Sequence, residues 1–227
     1  MKLNINMMLL ITVLIFSFML PSFFINGEDV IAYLSEVGGT VKIMNNFMNK
    51  NTEGKAGMLL NPGDVITTGE NSYASVVFQD DGSRIKLGEN ATLTLNAKRK
   101  KISLKKKLFL KTGRLWAKVT KRRGTEFQVT TPTSVASVKG TRFIIEEDKD
   151  GVTWLWVLED KVKFSNGKME VEVNEGEKGK STKSSVDVEP VKEGEIPIEP
   201  GIHRMIFFFN NSENTGIQKE LQIEIEK

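Results

Sequence analysis

The sequence predicts an all-β fold. Between Ile31 and about Val188, short runs of β-branched, aromatic and other apolar residues are separated at regular spacing by Gly, Asn and Asp, a pattern typical of sandwiches, barrels and rolls. Helical periodicity is hard to find in the same region. A chain of 227 residues, 39% of them hydrophobic, has enough apolar surface for one good core but not for two large ones. We therefore expect one compact roll, sandwich or solenoid-like domain of many short strands, with an appendage.

An apolar segment precedes the predicted strands. Lys2 is the only charged residue before Glu28, and residues 7–25 between them are almost entirely apolar, which is typical of a secretory signal peptide. The segment is also close to the roughly 20 residues that span a bilayer, and Ile25-Asn26-Gly27 is a poor match to a small-x-small cleavage site. Two alternatives stay open, a cleaved signal peptide and an uncleaved hydrophobic helix that anchors the chain.

Both alternatives place the rest of the chain outside the cytoplasm. The positive charge lies on the N-terminal side of the apolar segment, and two acids, Glu28 and Asp29, follow it. The predicted location is the periplasm or the extracellular space, with anchoring to the inner membrane where the segment is not cleaved. We predict a signal peptide or signal anchor at residues 1–26, a β domain at residues 27–188 and a C-terminal β-strand pair at residues 189–227.

The C-terminal part contains two predicted strands of different types. Residues 205–209 form an unbroken apolar run suited to a strand buried on both faces, while residues 221–226 alternate as a half-buried strand does. The pair resembles the last two strands of an immunoglobulin-like module, and it is expected to pack on the main domain or on another chain. Ahead of the pair, residues 175–185 are rich in Gly, Ser and Lys and predict a loose loop.

Four motifs follow one another in an order that resembles the FecR domain family. They are Gly113-Arg-Leu-Trp-Ala-Lys-Val119, Phe127-Gln-Val-Thr-Thr-Pro132, Ala136-Ser-Val-Lys-Gly-Thr-Arg-Phe143 and Val157-Leu-Glu-Asp-Lys-Val162. In the last motif Asp160 stands where the family has Gly, and because Asp tolerates a left-handed backbone at some cost, we expect the turn to survive. The resemblance spans about residues 37–177 and implies an all-β domain outside the cytoplasm.

The family's best-known role is not expected to carry over. In its best-known members this domain is the periplasmic half of a sigma-factor regulator, and a cytoplasmic helical domain precedes a single transmembrane helix. Here only about six residues precede the apolar segment. The resemblance therefore implies a binding or scaffolding domain, with motifs that specify a fold and no chemistry.

The composition argues against an enzyme. The sequence has no Cys and one His, His203, so a catalytic Ser-His-Asp or Cys-His set depends on that residue alone. The acids of Asp80-Asp81 and of residues 146–148 are expected to be solvated turn residues, and no metal-ligand or cofactor motif is present. Without residues 1–26, which contain Lys2, 31 basic and 29 acidic residues leave a net charge of +2, which does not indicate nucleic acid. We predict no catalysis, no metal and no cofactor.

One basic segment is a candidate partner-binding surface. Residues 98–123 contain thirteen Lys or Arg and no acid. Alternation along the predicted strand places two sets of side chains on opposite faces: Ile102, Leu104, Leu108 and Leu110 on one, and Lys101, Lys105, Lys107 and Phe109 on the other. With Lys111, the lysine face suits anionic lipid headgroups, an acidic glycan or an acidic protein. The alternative is a solvated edge that lysines protect against strand pairing.

Two tryptophans are a second candidate. Trp154 and Trp156 lie on the same face of their strand, and the resemblance places Leu155 and Val157 in the core, so both indoles are expected to point outward. Paired outward aromatic rings stack on sugars or anchor a protein partner. The alternative is that the C-terminal segment or a second sheet covers them.

Two functions stay open at this point. The first is an exported cell-envelope binding or scaffold protein, with an envelope protein, a glycan or an anionic surface as its partner. The second is a membrane-anchored envelope signalling component that acts through the uncleaved N-terminal helix. Cleavage after residues 1–26 discriminates between them, and the sequence predicts no oligomeric state.

Overall fold

A computed structural model of the protein describes residues 30–46, 50–100, 103–122 and 126–201. These ranges contain seventeen strands and no helix, which confirms the predicted all-β fold class. The predicted N-terminal hydrophobic helix, His203 and the predicted strands at residues 205–209 and 221–226 lie outside the described residues. Within the described ranges, no helix has the length and hydropathy needed to cross a membrane.

The strands are short, as predicted, except for the sixteen-residue β9. In chain order they are β1 (Ala32–Gly38), β2 (Val41–Asn45), β3 (Lys50–Glu53), β4 (Leu59–Leu60), β5 (Val65–Thr68), β6 (Tyr73–Phe78), β7 (Arg84–Leu87), β8 (Thr92–Lys100), β9 (Ser103–Lys118), β10 (Glu126–Thr130), β11 (Val135–Val138), β12 (Arg142–Glu147), β13 (Thr153–Glu159), β14 (Lys161–Ser165), β15 (Glu170–Asn174), β16 (Glu177–Ser181) and β17 (Val186–Pro190).

The strands form two sheets that share β9. Sheet A has the order β4–β1–β6–β7–β9–β12–β13–β16–β17, and sheet B has the order β3–β2–β5–β8–β9–β10–β11–β14–β15. All of these pairs are antiparallel except β9–β10, which is parallel. Because β9 belongs to both sheets, it joins them into one unit.

Gly113 divides β9 between the two sheets. Up to Thr112, β9 pairs with β8 of sheet B, and from Gly113 onward it pairs with β12 of sheet A. Gly113 has a φ of 89°, and a Cβ atom there would lie 2.5 Å from the Cβ atom of Ala91. Both the positive φ and this close approach require glycine at the corner.

Both ends of β9 reach the turn between β6 and β7. Near its start, the ammonium group of Lys106 lies 2.6 Å from a carboxylate oxygen of Asp81. Just after its end, the backbone N–H of Thr120 donates to the hydroxyl of Ser83 at 3.1 Å. The strand therefore runs along sheet B, turns at Gly113 and returns along sheet A.

The inward-facing side chains of the two sheets form one core. Phe78 of β6, in sheet A, meets Phe127 of β10, in sheet B, edge to face with 6.0 Å between ring centroids. Burial alternates along β6, as expected for a strand with one face in the core. Other fully buried residues of this core come from sheet A (Leu34, Leu87, Leu115, Phe143, Leu155) and from sheet B (Ile66, Leu93, Leu110, Val129, Phe164).

Two local predictions had different outcomes. Asp160, between β13 and β14, has a φ of 61°, so the turn survives without glycine, as expected. The prediction of a loose loop at residues 175–185 was wrong, because β16 lies there and pairs with β13 and β17. Gly179 of β16 faces the core, and a Cβ atom there would lie 2.9 Å from the ring of Phe164. The glycine reflects close packing and not a turn.

Candidate binding surfaces

Five neighbouring strands of sheet A place one row of side chains on its outer face. In the order β7, β9, β12, β13 and β16, the row is Lys86, Trp116, Ile144, Trp156 and Lys178, each opposite the next in the sheet register. We call it the tryptophan row. At about 4.8 Å between strands, the backbones of its two lysines are roughly 19 Å apart. The row is an apolar strip with a positive charge at each end.

The tryptophans of β13 point outward, as the alternation predicts, while Leu155 and Val157 are fully buried in the core. Trp154 lies beside Trp156, with 6.3 Å between ring centroids and 25° between ring planes. The ammonium group of Lys180 lies 5.0 Å from the Trp154 ring centroid, a cation–π contact. Aromatic surface therefore extends beyond the row on one side.

Residues 191–201 follow β17 and cross the tryptophan row; we call them the strap. The indole Nε1–H of Trp116 donates to the backbone carbonyl of Pro197 at 3.3 Å. At the beginning of the strap, Val191 packs against the cluster of Trp116, Ile144 and Trp156. The first residues of the C-terminal part of the chain are thus docked on sheet A.

Ion pairs hold the strap at both ends of the row. The ammonium group of Lys178 lies 2.9 Å from Glu195 Oε1. At the other end, Lys86 Nζ lies 3.4 Å from Glu199 Oε1 and donates to the Pro200 carbonyl at 3.0 Å. Each lysine of the row thus binds a strap carboxylate beside one from a strand, since Lys86 also lies 3.3 Å from Glu36 of β1 and Lys178 lies 3.1 Å from Glu189 of β17.

The Lys178–Glu195 pair shifts both groups toward their charged forms. The hydrogen bond to Glu195 raises the pKa of Lys178, although burial acts in the opposite direction. The pKa of Glu195 is lowered most by a hydrogen bond from the backbone N–H of Lys192. The hydrogen bond from Lys178 lowers it further, by a smaller amount. The attraction that holds this end of the strap is therefore fully present at neutral pH.

The strap removes the row from solvent. Trp116 is 9% exposed and Trp156 is 8% exposed. Of the two alternatives for Trp154 and Trp156, an open pair or a pair covered by the C-terminal segment, the second holds for Trp156. Ile196 and Ile198 of the strap are 44% and 60% exposed. The tryptophan pair does not form an open platform while the strap is in place.

The lysines predicted for a basic face lie on the outer side of sheet B. Lys107 and Lys111 are exposed, Phe109 between them is half-buried, and Leu108 and Leu110 are buried in the core. These positions agree with the predicted alternation. Lys101 and Ile102, which the same alternation placed on this strand, lie outside the residues that the structure describes.

These lysines differ in their partners. Lys105 Nζ binds Glu126 Oε1 at 2.7 Å, across the parallel β9–β10 pair. Lys98, Lys107 and Lys111 are exposed and form no ion pair with any residue in the described part of the chain. We call these three the open lysines.

Lysines farther across the same face are neutralised. On the β14–β15 hairpin, Lys161 binds Glu172 at 2.9 Å and Lys163 binds Glu170 at 3.3 Å. Of the described lysines on β8, β9 and β14, those without an acidic partner therefore lie on β8 and β9.

A buried charged cluster beneath the β6–β7 turn was missed by the sequence reasoning. Lys106 is fully buried on the core side of β9, between two outward-facing lysines. Its Nζ lies 2.8 Å from Asp80 Oδ1 and 2.6 Å from Asp81 Oδ2. The expectation that both acids are solvated was wrong, because alternation along β9 turns Lys106 inward under the turn that carries them.

The cluster changes the titration of Asp81. Burial by itself raises the pKa of this carboxyl, but hydrogen bonds from Lys106 and Ser83, together with the charge of Lys106, hold it below its ordinary value of 3.8. The carboxylate is therefore charged inside the fold, and it ties β9 to the β6–β7 turn.

The acids at residues 146–148 also have structural partners. Glu146 Oε2 accepts hydrogen bonds from Arg114 Nε at 2.9 Å and Nη2 at 2.7 Å. Glu147 is 2% exposed and accepts from the hydroxyl of Thr153, so the expectation of solvated acids was wrong for these two. Across the described ranges, no group of three or more His, Cys, Asp or Glu is arranged to hold a metal ion.

Two crystal structures are similar to part of the chain. Both are of a proposed anti-sigma factor from Parabacteroides distasonis ATCC 8503, each 14% identical to this chain with a TM-score of 0.49. Each match covers 56% of this chain and 59% of the other, so the chain spans less than two thirds of that protein's length. No curated protein matches the chain.

A protein-family model matches half of the chain. The model, described as FecR protein, matches residues 64–177. The matched region begins just before β5 and ends at the first residue of β16. It includes the corner at Gly113 and both tryptophans of the tryptophan row. The resemblance predicted from the four motifs is confirmed, and the chain belongs to the FecR family.

Proposed function

We propose that this FecR-family chain is an exported cell-envelope binding protein that acts without catalysis and binds an acidic envelope glycan on the outer face of sheet B. The observation that carries the proposal is the set of open lysines, Lys98, Lys107 and Lys111, which are exposed and have no acidic partner in the described part of the chain. On the same face, Lys105, Lys161 and Lys163 are paired with acids.

The surroundings of the open lysines suit a sugar chain. In the sheet register Lys107 lies between Asn96 of β8 and Gln128 of β10, so a cation is flanked by two carboxamide groups. Half-buried Phe109 follows on the same face. Carboxamides donate to hydroxyl and carboxylate oxygens, and an aromatic ring offers a face to a sugar. An extended acidic polysaccharide therefore meets cation, amide and ring along one strip.

The positions of the buried acids support a role without catalysis. Asp81 is bound by Lys106 and by the backbone N–H of Ser83, and Glu147 accepts from the hydroxyl of Thr153. A general acid or base must reach a substrate proton within hydrogen-bond distance. These carboxylates are instead used within the fold.

Binding of the full-length chain to alginate, measured at low ionic strength, tests the proposal. A lysine near an anionic surface contributes on the order of 1 kcal/mol, so Lys107→Gln/Lys111→Gln should weaken binding about 30-fold. The control Lys161→Gln/Lys163→Gln removes the same charge from the same face and should weaken binding less than about threefold, because those lysines are already paired. Equal losses in the two variants, or no binding by the wild-type chain, would contradict the proposal.

A short connection between the apolar segment and β1 favours the second function. That function is a membrane-anchored signalling component acting through the uncleaved N-terminal helix. The apolar segment ends at Ile25 and β1 begins at Ala32, and six intervening residues span at most roughly 20 Å. An anchored chain would keep the β domain close to the membrane surface. N-terminal sequencing of the chain from an envelope fraction decides: a start at Met1 supports this function, and a start near Glu28 rules it out.

A further inference from the structure

We propose that the tryptophan row is a recognition groove for an extended, acidic, proline-containing segment of a partner protein, and that the strap occupies this groove from within the same chain. The groove lies on the outer face of sheet A, on the opposite side of the core from the open lysines. The inference is therefore independent of glycan binding on sheet B and adds a second ligand class.

The strap is held in the way a peptide ligand is held. Residues 191–201 form no strand, and their backbone carbonyls accept hydrogen bonds from side chains of the sheet. Trp116 Nε1 donates to the Pro197 carbonyl at 3.3 Å, and Lys86 Nζ donates to the Pro200 carbonyl at 3.0 Å. Aromatic-lined grooves recognise proline-containing segments in this manner.

Proline suits an occupant of this groove for two physical reasons. Pro197 and Pro200 carry no backbone N–H, so they leave no unpaired donor above an apolar strip. Their fixed φ also reduces the conformational freedom lost on binding. The residues before them, Ile196 and Glu199, are biased toward extended backbone by the following proline. The spacing Pro197-Ile-Glu-Pro200 therefore presents a preformed extended ligand.

The lysines at the ends of the row favour an acidic segment, because each binds a strap carboxylate in addition to one from a strand, Glu36 of β1 or Glu189 of β17. Glu195 and Glu199, four residues apart, bind Lys178 and Lys86 at 2.9 and 3.4 Å. Lys86 also lies 5.2 Å from the ring centroid of Tyr73, which fixes its position at the end of the row. A ligand with two carboxylates at this separation and a proline between them satisfies both lysines.

The strap leaves part of the groove unused. The Nε1–H of Trp156 is buried and has no hydrogen-bond partner among the described residues, whereas the same group of Trp116 has a carbonyl acceptor. Buried indole N–H groups normally have a partner. A segment that places an oxygen above Trp156 makes every contact of the strap and one more.

This unused donor favours a partner protein over a second copy of the chain. A second copy would supply a strap of the same sequence, which would leave the Trp156 donor equally unpaired. Because the strap is tethered, its effective concentration at the groove is high, and a partner segment must displace it. The apparent affinity for the partner is the affinity of the open groove multiplied by the fraction of time for which the groove is open.

Release of the strap in the full-length chain tests the proposal. The variant Glu195→Lys/Glu199→Lys replaces two attractions with repulsions and frees the groove. The probe is a fluorescent peptide with the native sequence of residues 191–201, and its binding is followed by anisotropy. The released variant should bind the peptide at least about tenfold more tightly than the wild-type chain. The control Glu170→Lys/Glu172→Lys makes the same charge change on sheet B and should bind like wild type.

Further variants show whether the groove contacts are the ones described. Within the released variant, Trp116→Phe removes a hydrogen bond that the peptide makes and should weaken binding about fivefold, while Trp156→Phe should change it less than about twofold. A peptide with alanine at both prolines should also bind more weakly. If the charge reversal prevents folding, Pro197→Ala/Pro200→Ala in the strap serves as the released variant.

Two results would overturn the proposal. One is equal binding of the native peptide to the released and wild-type chains. The other is a wild-type dimer in light scattering that disappears in the released variant, because that result assigns the groove to strap exchange between copies. The alginate test uses the variant Lys107→Gln/Lys111→Gln, in which the strap and the groove are intact, so failure here is distinguishable from failure of the glycan-binding function.

Discussion

The ammonium group of Lys106 lies in the core within 2.8 Å of both Asp80 and Asp81. Removing charged groups from water costs several kcal/mol per ion, and their mutual attraction offsets this cost only when the geometry is good. Arg122 donates to the backbone carbonyl of Asp80, so the same turn is held from outside as well. Loss of one member of the cluster should therefore be more harmful than replacement of all three.

We predict that Lys106→Met lowers the free energy of unfolding by about 3–5 kcal/mol, because two buried carboxylates lose their counter-ion. The control Lys107→Met, at the exposed neighbouring position, should change it by less than about 0.5 kcal/mol. Adding Asp80→Asn and Asp81→Asn to Lys106→Met should recover part of the loss. Urea unfolding followed by tryptophan fluorescence measures each value, and a Lys106→Met chain as stable as wild type would refute the cluster's role.

The lowered pKa of Asp81 predicts a specific acid sensitivity. A carboxyl whose pKa is lower in the folded chain than its ordinary value of 3.8 stabilises the fold above that pH. The contribution is lost as the pH falls through the folded pKa. We expect the free energy of unfolding to fall more steeply below about pH 3.8 for wild type than for Asp81→Asn. Urea unfolding across this range measures both slopes, and parallel slopes would argue against the shift.

Lys106 also marks the limit of what single residues reveal. Alternation along β9 places it on the same side as Leu108 and Leu110, and this much follows from the sequence. Its counter-ions do not, because Asp80 and Asp81 meet it only when β6, β7 and β9 are aligned in two sheets. Alternation predicts where a side chain points, and pairing between distant strands decides what it meets.

At the scale of elements, the strap shows the same limit. Alternation along β13 correctly predicts that Trp154 and Trp156 face outward, but not what lies above them. Residues 191–201 contain few apolar side chains and no strand periodicity, so nothing local predicts their docking. β16 was mistaken for a loop for a related reason. The space that requires Gly179 is created by Phe164, which is fifteen positions away in the chain.

The corner of β9 gives a prediction at this scale. Gly113→Ala should lower the free energy of unfolding by about 1–3 kcal/mol more than Gly167→Ala does. The φ values are similar, 89° and 84°, so both variants carry the cost of a side chain at positive φ. Only at Gly113 does the new Cβ atom meet a neighbour, Ala91, at 2.5 Å. Urea unfolding of the two variants measures the difference, and equal losses would show that the corner relaxes.

At the scale of the whole molecule, the order of the family motifs along the chain predicted an all-β domain of this family, which the family match at residues 64–177 and the seventeen strands confirm. The motifs did not predict the two sheets. β1 pairs with β6, and β9 pairs with β12 and with β10, and such pairs are decided by the shared core. The resulting connectivity makes β9 a neighbour of four strands, two in each sheet.

This connectivity predicts that the two sheets unfold together. The three tryptophans, Trp116, Trp154 and Trp156, lie on the outer face of sheet A, so their fluorescence follows that sheet. Hydrogen exchange of the paired β10 and β11 amides follows sheet B. Because β9 is hydrogen-bonded within both sheets and their side chains share one core, separating the sheets would expose apolar surface on each. We expect the two probes to give the same urea midpoint within error. A tryptophan transition complete before β10 and β11 lose protection would show instead that sheet A unfolds on its own.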